Sequence, residues 1–283
     1  MIYIFAALYK EAEPLIQSLG LKKVSMNNKF QEFLNEDKGI CLVVTGVGSI
    51  SAAVAVSCIC TKYEVKEEDF LVNVGTCAAT GLEGETFLCN KITEESTGRT
   101  FYPDILYTHL FQECPVVTTG KVVSGGLPES PGEKGQNLYD MEAAAIYQAG
   151  AYFFGPHQMS FLKIVSDSGE GDSVTVRKIE VVMEKASSAV IKYIEQLCEI
   201  ALEEKTRKKD FPDDLKEQID QVCKDMHCSK TMEASLWQHF RYLLLTGADI
   251  QGEIIRWYEE EKLPCKDRRE GKKRFEEFKA GLF

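Results

Sequence analysis

The chain has 283 residues, 44% of them hydrophobic and 27% charged, values that suit one large globular domain or one large and one small, and exclude fibres and disorder. Its 44 Asp+Glu outnumber 33 Lys+Arg, for a net charge of −11, and such an acidic balance disfavours binding to a nucleic-acid backbone. Ten cysteines are scattered without a CxxC pair, as expected of a reducing compartment. The opening stretch MIYIFAALYKEAEP has no basic region before its apolar run and reaches Lys10 and Glu11 too early for a signal peptide. No uncharged apolar segment approaches the ~18 residues of a membrane span. A cytoplasmic protein is expected.

Taken in chain order, Ile2 to Leu8 reads as a buried strand and residues 10–19 as a helix, with Pro14 tolerated in its first turn and Gly20 at its end. Residues 40–45 (ICLVVT) form the next strand, and 49–63 (SISAAVAVSCICTKY) a helix rich in small residues. FLVNVG (70–75) is a third strand opening into a Thr/Ala/Gly loop. A strand at 121–124, a helix from 140 to 152, a strand at 160–166 and a long helix from 174 to 202 follow. Apolar strands that end in glycine loops and lead into helices predict an α/β fold with a sheet covered on both faces.

The chain changes character near EEKTRKKDFPDD (203–214). Residues 204–283 hold 17 Lys+Arg and 17 Asp+Glu, so the whole excess of acid lies in residues 1–203. In the tail Leu215, Ile219, Val222 and Met226 recur at helical spacing, as do Leu236, Phe240, Leu243 and Leu244, then Ile250, Ile254 and Trp257. Two parts are expected: 1–203, and a small all-α unit over 204–283.

Four loops fall at predicted strand ends, where open α/β proteins build their sites: AALYKE (6–11), TGVGS (45–49), NVGTCAATG (73–81) and VSDSG (165–169). A fifth element, YDMEAAA (139–145), puts two acids at a helix start. Each has an ordinary reading when taken alone. GVG makes a tight turn, Asp140 an N-cap, Glu142 a first-turn acid that suits the helix dipole, Asp167 a turn residue and Glu11 a solvated helix acid. In the tail, Cys223, His227, Cys228 and His239 have a spacing that fits no common zinc site; thiols buried on amphipathic helices account for them, and no metal is expected. The basic run KLPCKDRREGKKR (262–274) reads as a solvated helix face.

Together, in this order, the segments AALYKEAEPL (6–15), TGVGSISAA (45–53), VNVGTCAATGL (72–82), KVVSGG (121–126), YDMEAAAIYQAG (139–150) and KIVSDSGEGDS (163–173) resemble one family. The chain resembles the purine/uridine-type nucleoside phosphorylases, and within them the branch of 5′-methylthioadenosine/S-adenosylhomocysteine nucleosidases. MEAAAI (141–146) followed by VSD (165–167) is the most specific pair. The resemblance covers residues 1 to about 203 and leaves the tail unassigned. It implies a three-layer α/β/α phosphorylase-like fold with a central mixed sheet, no cofactor, and a homo-oligomer, dimer or hexamer.

The resemblance also implies roles. Glu11 matches the acid that activates the attacking water, and Asp167 the acid that protonates or hydrogen-bonds the leaving purine at N7. Met141 and Glu142 match the ribose-binding pair. Ala7, Val47, Thr76, Cys77, Ala78, Lys163 and Ser166 fall among the substrate-binding positions. Breaking an N-glycosidic bond makes an oxocarbenium-like sugar and pushes electrons onto the base, so acids are needed on both sides.

A phosphorylase must also hold a phosphate dianion with fixed cations. The resembled phosphorylases carry an arginine two residues before the strand-end glycine; here Asn73 stands before Gly75, and residues 1–98 contain no arginine. Water is therefore the expected nucleophile and a purine nucleoside or thionucleoside the expected substrate. Phosphorolysis and a non-catalytic nucleoside-sensing module are the alternatives. The chain departs from the family pattern at Thr76-Cys77-Ala78-Ala79, where glycines are usual, and at Leu127-Pro128-Glu129, where the nucleosidases place an aromatic against the base. The stretch from 125 to 138 is short and rich in Gly and Pro, which implies a shorter wall on that side of the base.

Overall fold

The computed structural model describes residues 1–24, 30–123, 127, 137–169, 174–207 and 211–280. The chain divides into two compact units, Met1–Lys205 and Thr206–Phe283.

In the first unit the strands are β1 (Ile2–Ala6), β2 (Lys22–Lys23), β3 (Gln31–Asn35), β4 (Ile40–Val44), β5 (Phe70–Ala78), β6 (Thr86–Glu94), β7 (Thr100–Phe101), β8 (Gln112–Thr118), β9 (Leu138–Asp140) and β10 (Met159–Asp167). The helices are α1 (Tyr9–Ser18), α2 (Ser49–Tyr63), α3 (Ala143–Gly150) and α4 (Val176–Arg207). β4, β1, β5 and β10 run parallel side by side, so their carboxyl ends share one edge. β3 joins β4 antiparallel and β2 joins β3. On the other side β10, β6, β8 and β9 continue the sheet until β9 returns to β5 through Ala78 and Tyr139. Half of this mixed sheet thus curls into a ring.

Residue alternation explains the layers. In β1, Ile2, Ile4 and Ala6 join the core with α1 and α4, while Tyr3 and Phe5 join the core with α2 and α3. β4 divides likewise into Ile40 and Leu42 against Cys41 and Val43. Because both faces are covered, these strands read as continuous apolar runs. The result is three layers, α1 and α4 on one face and α2 and α3 on the other, the α/β/α arrangement that the resemblance implies.

Several predicted elements are corrected. No strand occupies 121–123, and Ser124 lies outside the described residues; the strand is β8, earlier in the chain. Pro115 sits in β8 where the register with β6 shifts between Cys89 and Lys91, an irregularity that accommodates a residue without an N–H. Pro14 lies inside α1 rather than in its first turn. β5 runs on through Thr76 and Cys77 to Ala78, so the expected loop is strand, and no residue from 76 to 79 takes a positive φ. Ala78 is the last residue of the strand, and Ala79 follows it. α3 begins at Ala143 because Tyr139 and Asp140 belong to β9.

The second unit has four helices and no strand among its described residues: α5 (Asp213–Asp225), α6 (Lys230–Thr246), α7 (Ile250–Glu259) and α8 (Arg268–Ala280). Ile219, Met226, Leu236, Phe240, Ile254 and Trp257 form its core, with Phe275 and Phe278 from the part of α8 that follows the basic run. Ser229 and Asp249 cap α6 and α7 by accepting from the N–H groups of Met232 and Gly252, and Gly247 ends α6 at φ +73°. No helix among the described residues is long and apolar enough to cross a membrane.

Candidate active site

The parallel strands end along one cleft of about 190 Å³. Ala7, Leu8 and Glu11 follow β1, Val47 follows β4, and Thr76, Cys77 and Ala78 end β5. Tyr139, Asp140, Met141 and Glu142 come from β9 and the turn after it, and Ser166 and Asp167 end β10. Of the residues expected at the substrate, Glu11, Asp167, Ala7, Val47, Thr76, Cys77, Ala78, Met141, Glu142 and Ser166 all line this cleft.

Lys163 does not. Its ammonium is 1% exposed and lies 2.7 Å from Asp140 Oδ2, so its charge is committed inside the protein. On β10, Phe161, Lys163 and Val165 alternate onto the face that meets α2 and α3. A register shift between Val165 and Asp167 then makes Ser166 an extra residue, and both Ser166 and Asp167 reach the cleft.

Glu11 is the third residue of α1, and its Oε2 accepts from the N–H of Leu8 (2.9 Å), which caps the helix. Its Oε1 accepts from the N–H and the hydroxyl of Thr76, both at 2.7 Å. Gly75 lies beside this carboxylate: a Cβ there would stand 3.4 Å from Oε1, at the near edge of ordinary contact. The carboxylate is 2% exposed and held by three donors.

Asp167 Oδ1 accepts from the N–H of Gly169 (2.9 Å), whose φ of +78° favours glycine. Its Oδ2 lies 2.8 Å from the Ser166 hydroxyl, which is also 3.3 Å from the Cys77 carbonyl. One hydroxyl has one proton, so it serves one acceptor at a time. Turned to Asp167 it suits the carboxylate; turned to Cys77 it leaves Oδ2 free to carry a proton.

Glu142 Oε1 accepts from the N–H of Gly48 at 2.7 Å. Gly48, at φ +97°, opens α2, so the GVG turn presents its N–H to this acid. Burial pushes the Glu142 carboxyl up to about 7, and the charges of Asp140 and Glu11 add to the rise against Lys163 and the Gly48 N–H.

Sequence reasoning did not single out Leu8, Thr119, Lys121, Val122, Val123, Val174 and Ile179, which also line the cleft. Lys121 and the two valines lie in the KVVSGG segment and carried a weak signal. Ser124–Gly126, Pro128–Glu129 and Glu170–Ser173 lie outside the described residues. Leu127 is described: a Cβ added to Gly169 would overlap its side chain, so an aliphatic residue stands beside the Asp167 loop. Asn73 is buried in β5, donates to the Phe5 carbonyl (3.0 Å) and is not part of the cleft lining.

No family model matches the sequence, and no curated protein matches it. Solved structures do match. The Helicobacter pylori 5′-methylthioadenosine/S-adenosylhomocysteine nucleosidase is 11% identical over 69% of this chain and 97% of its own, with a TM-score of 0.54. The Neisseria meningitidis enzyme, solved with methylthio-immucillin-A, is 18% identical at the same coverages and TM-score. The Arabidopsis thaliana 5′-methylthioadenosine nucleosidase is 18% identical over 69% of this chain and 95% of its own, also at 0.54. The chain has the nucleosidase fold. Within that fold the carboxyl-edge cleft carries the acids Glu11, Asp140, Glu142 and Asp167 and one cation, Lys121, among its described lining residues.

Proposed function

We propose that the protein is a nucleosidase that hydrolyses the N-glycosidic bond of a purine nucleoside or thionucleoside of the methylthioadenosine/S-adenosylhomocysteine type, releasing free base and sugar. The observation that carries this reading is the gathering of Glu11, Glu142 and Asp167 around one cleft on the nucleosidase fold.

In this reading water attacks the anomeric carbon and gives its proton to Glu11. The bond to the base breaks with its electron pair moving into the purine, and Asp167 supplies a proton to the base nitrogen. The Ser166 hydroxyl, able to turn between Asp167 and the Cys77 carbonyl, suits both protonation states of that acid. Glu142 accepts hydrogen bonds from sugar hydroxyls. Each proton transfer contributes about 10²–10⁴ in rate.

The charge balance supports water over phosphate. A phosphate dianion would meet the carboxylates of Glu11 and Glu142 with only Lys121 among the described lining residues to offset them. Lys163 is committed to Asp140. Phosphorolysis is the second reading, and Lys121 is the observation in its favour.

The test is a panel of 5′-methylthioadenosine, S-adenosylhomocysteine, adenosine, inosine and uridine, with the purified protein, followed by chromatography of the free base. Adenine release from the first two supports the reading; release of no base from any of them contradicts it, in favour of a sensing module. We place the enzyme in the cytoplasm as a homo-oligomer. The outward face of α2 supports assembly, since Ile50 is 83% and Val54 53% exposed one turn apart. A monomer by light scattering would contradict that part.

A further inference from the structure

Lys163 entered as a candidate substrate ligand, and the structure gives it different work. We propose that Lys163 is a positioning residue that sets the place and charge of Glu142 through Asp140 without touching the nucleoside. Its consequence for catalysis rests on the nucleosidase reading; its effect on Glu142 does not.

The geometry is a buried chain of contacts. Lys163 Nζ lies 2.7 Å from Asp140 Oδ2, and the two side chains are 1% and 0% exposed. Asp140 Oδ1 accepts from the Thr118 hydroxyl at 2.6 Å. Asp140 Oδ2 also accepts from the N–H groups of Ala143 (2.7 Å) and Glu142 (3.2 Å). The Thr118 hydroxyl in turn accepts from the N–H of Ala144 at 2.9 Å. One carboxylate therefore ties β8, β9, β10 and the start of α3 together, and the backbone of Glu142 is among its ligands. The Glu142 carboxylate is held at its far end by Gly48.

A buried ion pair is costly to break, because the survivor is left as an uncompensated charge. Burial alone would drive Lys163 toward its neutral form; Asp140 and Glu142 outweigh that and hold it above the ordinary lysine range. It stays charged. Asp140 from its own stretch and Glu11 from α1 push Glu142 up, and Lys163 from β10 and the Gly48 N–H from the start of α2 pull it down. Asp167 and Lys121 line the same cleft, and Lys163 is the cation buried behind it, on Asp140. Lys163 pulls Glu142 toward its ionised form, against burial and Asp140.

The experiment follows the Glu142 carboxyl by ¹³C NMR in the full-length chain labelled at glutamate, with Glu142→Gln to assign the signal. The wild-type signal titrates near 7. Lys163→Met raises its midpoint by roughly one pH unit or more, the size expected for losing an opposite charge nearby. Asp140→Asn lowers it, because a like charge is gone and the ammonium remains. Lys163→Arg keeps the wild-type midpoint. Both Lys163→Met and Asp140→Asn break the same pair, so a purely packing role would move them in the same direction. The same direction in both, or no movement in folded Lys163→Met, overturns the proposal. Should Lys163→Met fail to fold, Lys163→Gln is read in its place against Lys163→Arg: a raised midpoint supports the proposal, and an unchanged one overturns it. Binding of 5′-methylthioadenosine is measured across pH on the same variants. Binding that tracks the carboxyl supports both readings. Carboxyl shifts as expected without any nucleoside binding support the role of Lys163 and overturn the nucleosidase reading instead.

Discussion

Glu142 shows how surroundings assign work to a side chain. Its carboxyl sits at about 7 in the fold, well above the ordinary glutamate range, because it is buried beside Asp140. The folded protein therefore binds this proton more tightly than the unfolded chain does. The contribution to stability is fully present below the ordinary glutamate value and is lost as pH rises through about 7. Glu142→Gln should flatten the thermal stability profile between pH 5 and 7.5, about the window between the two states; a profile that keeps its slope would place the titration elsewhere. On the proposed reading, binding of a sugar has the opposite sign, since the ionised acid is the stronger acceptor for its hydroxyls. Asp167→Asn should fold normally and lower turnover by roughly 10² or more, the loss expected of a general acid; wild-type rates would remove it from the mechanism. Glu11→Gln should depress hydrolysis while nucleoside binding persists, read by separating binding from single-turnover rates. Lost binding with normal turnover per bound substrate would make Glu11 a substrate ligand. Glu11 and Asp167 were legible as candidates because their motifs follow predicted apolar strands, and Met141–Glu142 because YDMEAAA opens a predicted helix; their roles came from the family resemblance. Lys163 was legible as a charge near the motif but not as the partner of Asp140, since that pairing joins β10 to the end of β9 across the closing of the ring.

At the scale of elements, the strongest signals were the fully buried runs. β1, β4 and β10 read as strands because both faces are covered, and α2 (Ser49–Tyr63) spans the predicted residues. β3, β6 and β8 were missed for physical reasons. Gln31–Asn35 is short and mostly polar, Thr86–Glu94 mixes Asn90 and Lys91 into its apolar residues, and β8 contains Pro115, which argues against a strand by local rules. β6 pairs with β8 and β10, and β8 with β6 and β9, so tertiary context decides those two, whereas β3 pairs with β4 across a short turn and is hidden by its polar composition. In the second unit close helix packing sets one sharp expectation. A Cβ at Gly271 of α8 would overlap the Met226 carbonyl oxygen at the end of α5. Gly271→Ala should destabilise this unit by about 1–3 kcal/mol, the cost of overpacking, seen as a lower unfolding midpoint. An unchanged midpoint would mean that α8 shifts freely.

At the scale of the molecule, all the cleft-lining residues lie in Met1–Lys205, and the second unit has a core of its own. The net-neutral tail was legible as helical from its three apolar stripes, and its purpose was not, because helical spacing reports burial and not partners. A chain ending near residue 205 should keep measurable nucleosidase activity. A folded truncation that binds nucleoside but has lost all turnover would show that the tail supplies a group to the reaction. Hydrolysis and phosphorolysis differ in the sugar they release. Incubated with 5′-methylthioadenosine in the presence and absence of phosphate, the protein should release adenine and free methylthioribose at the same rate in both, resolved by mass. Adenine release that requires phosphate and leaves the sugar 1-phosphate would contradict the account.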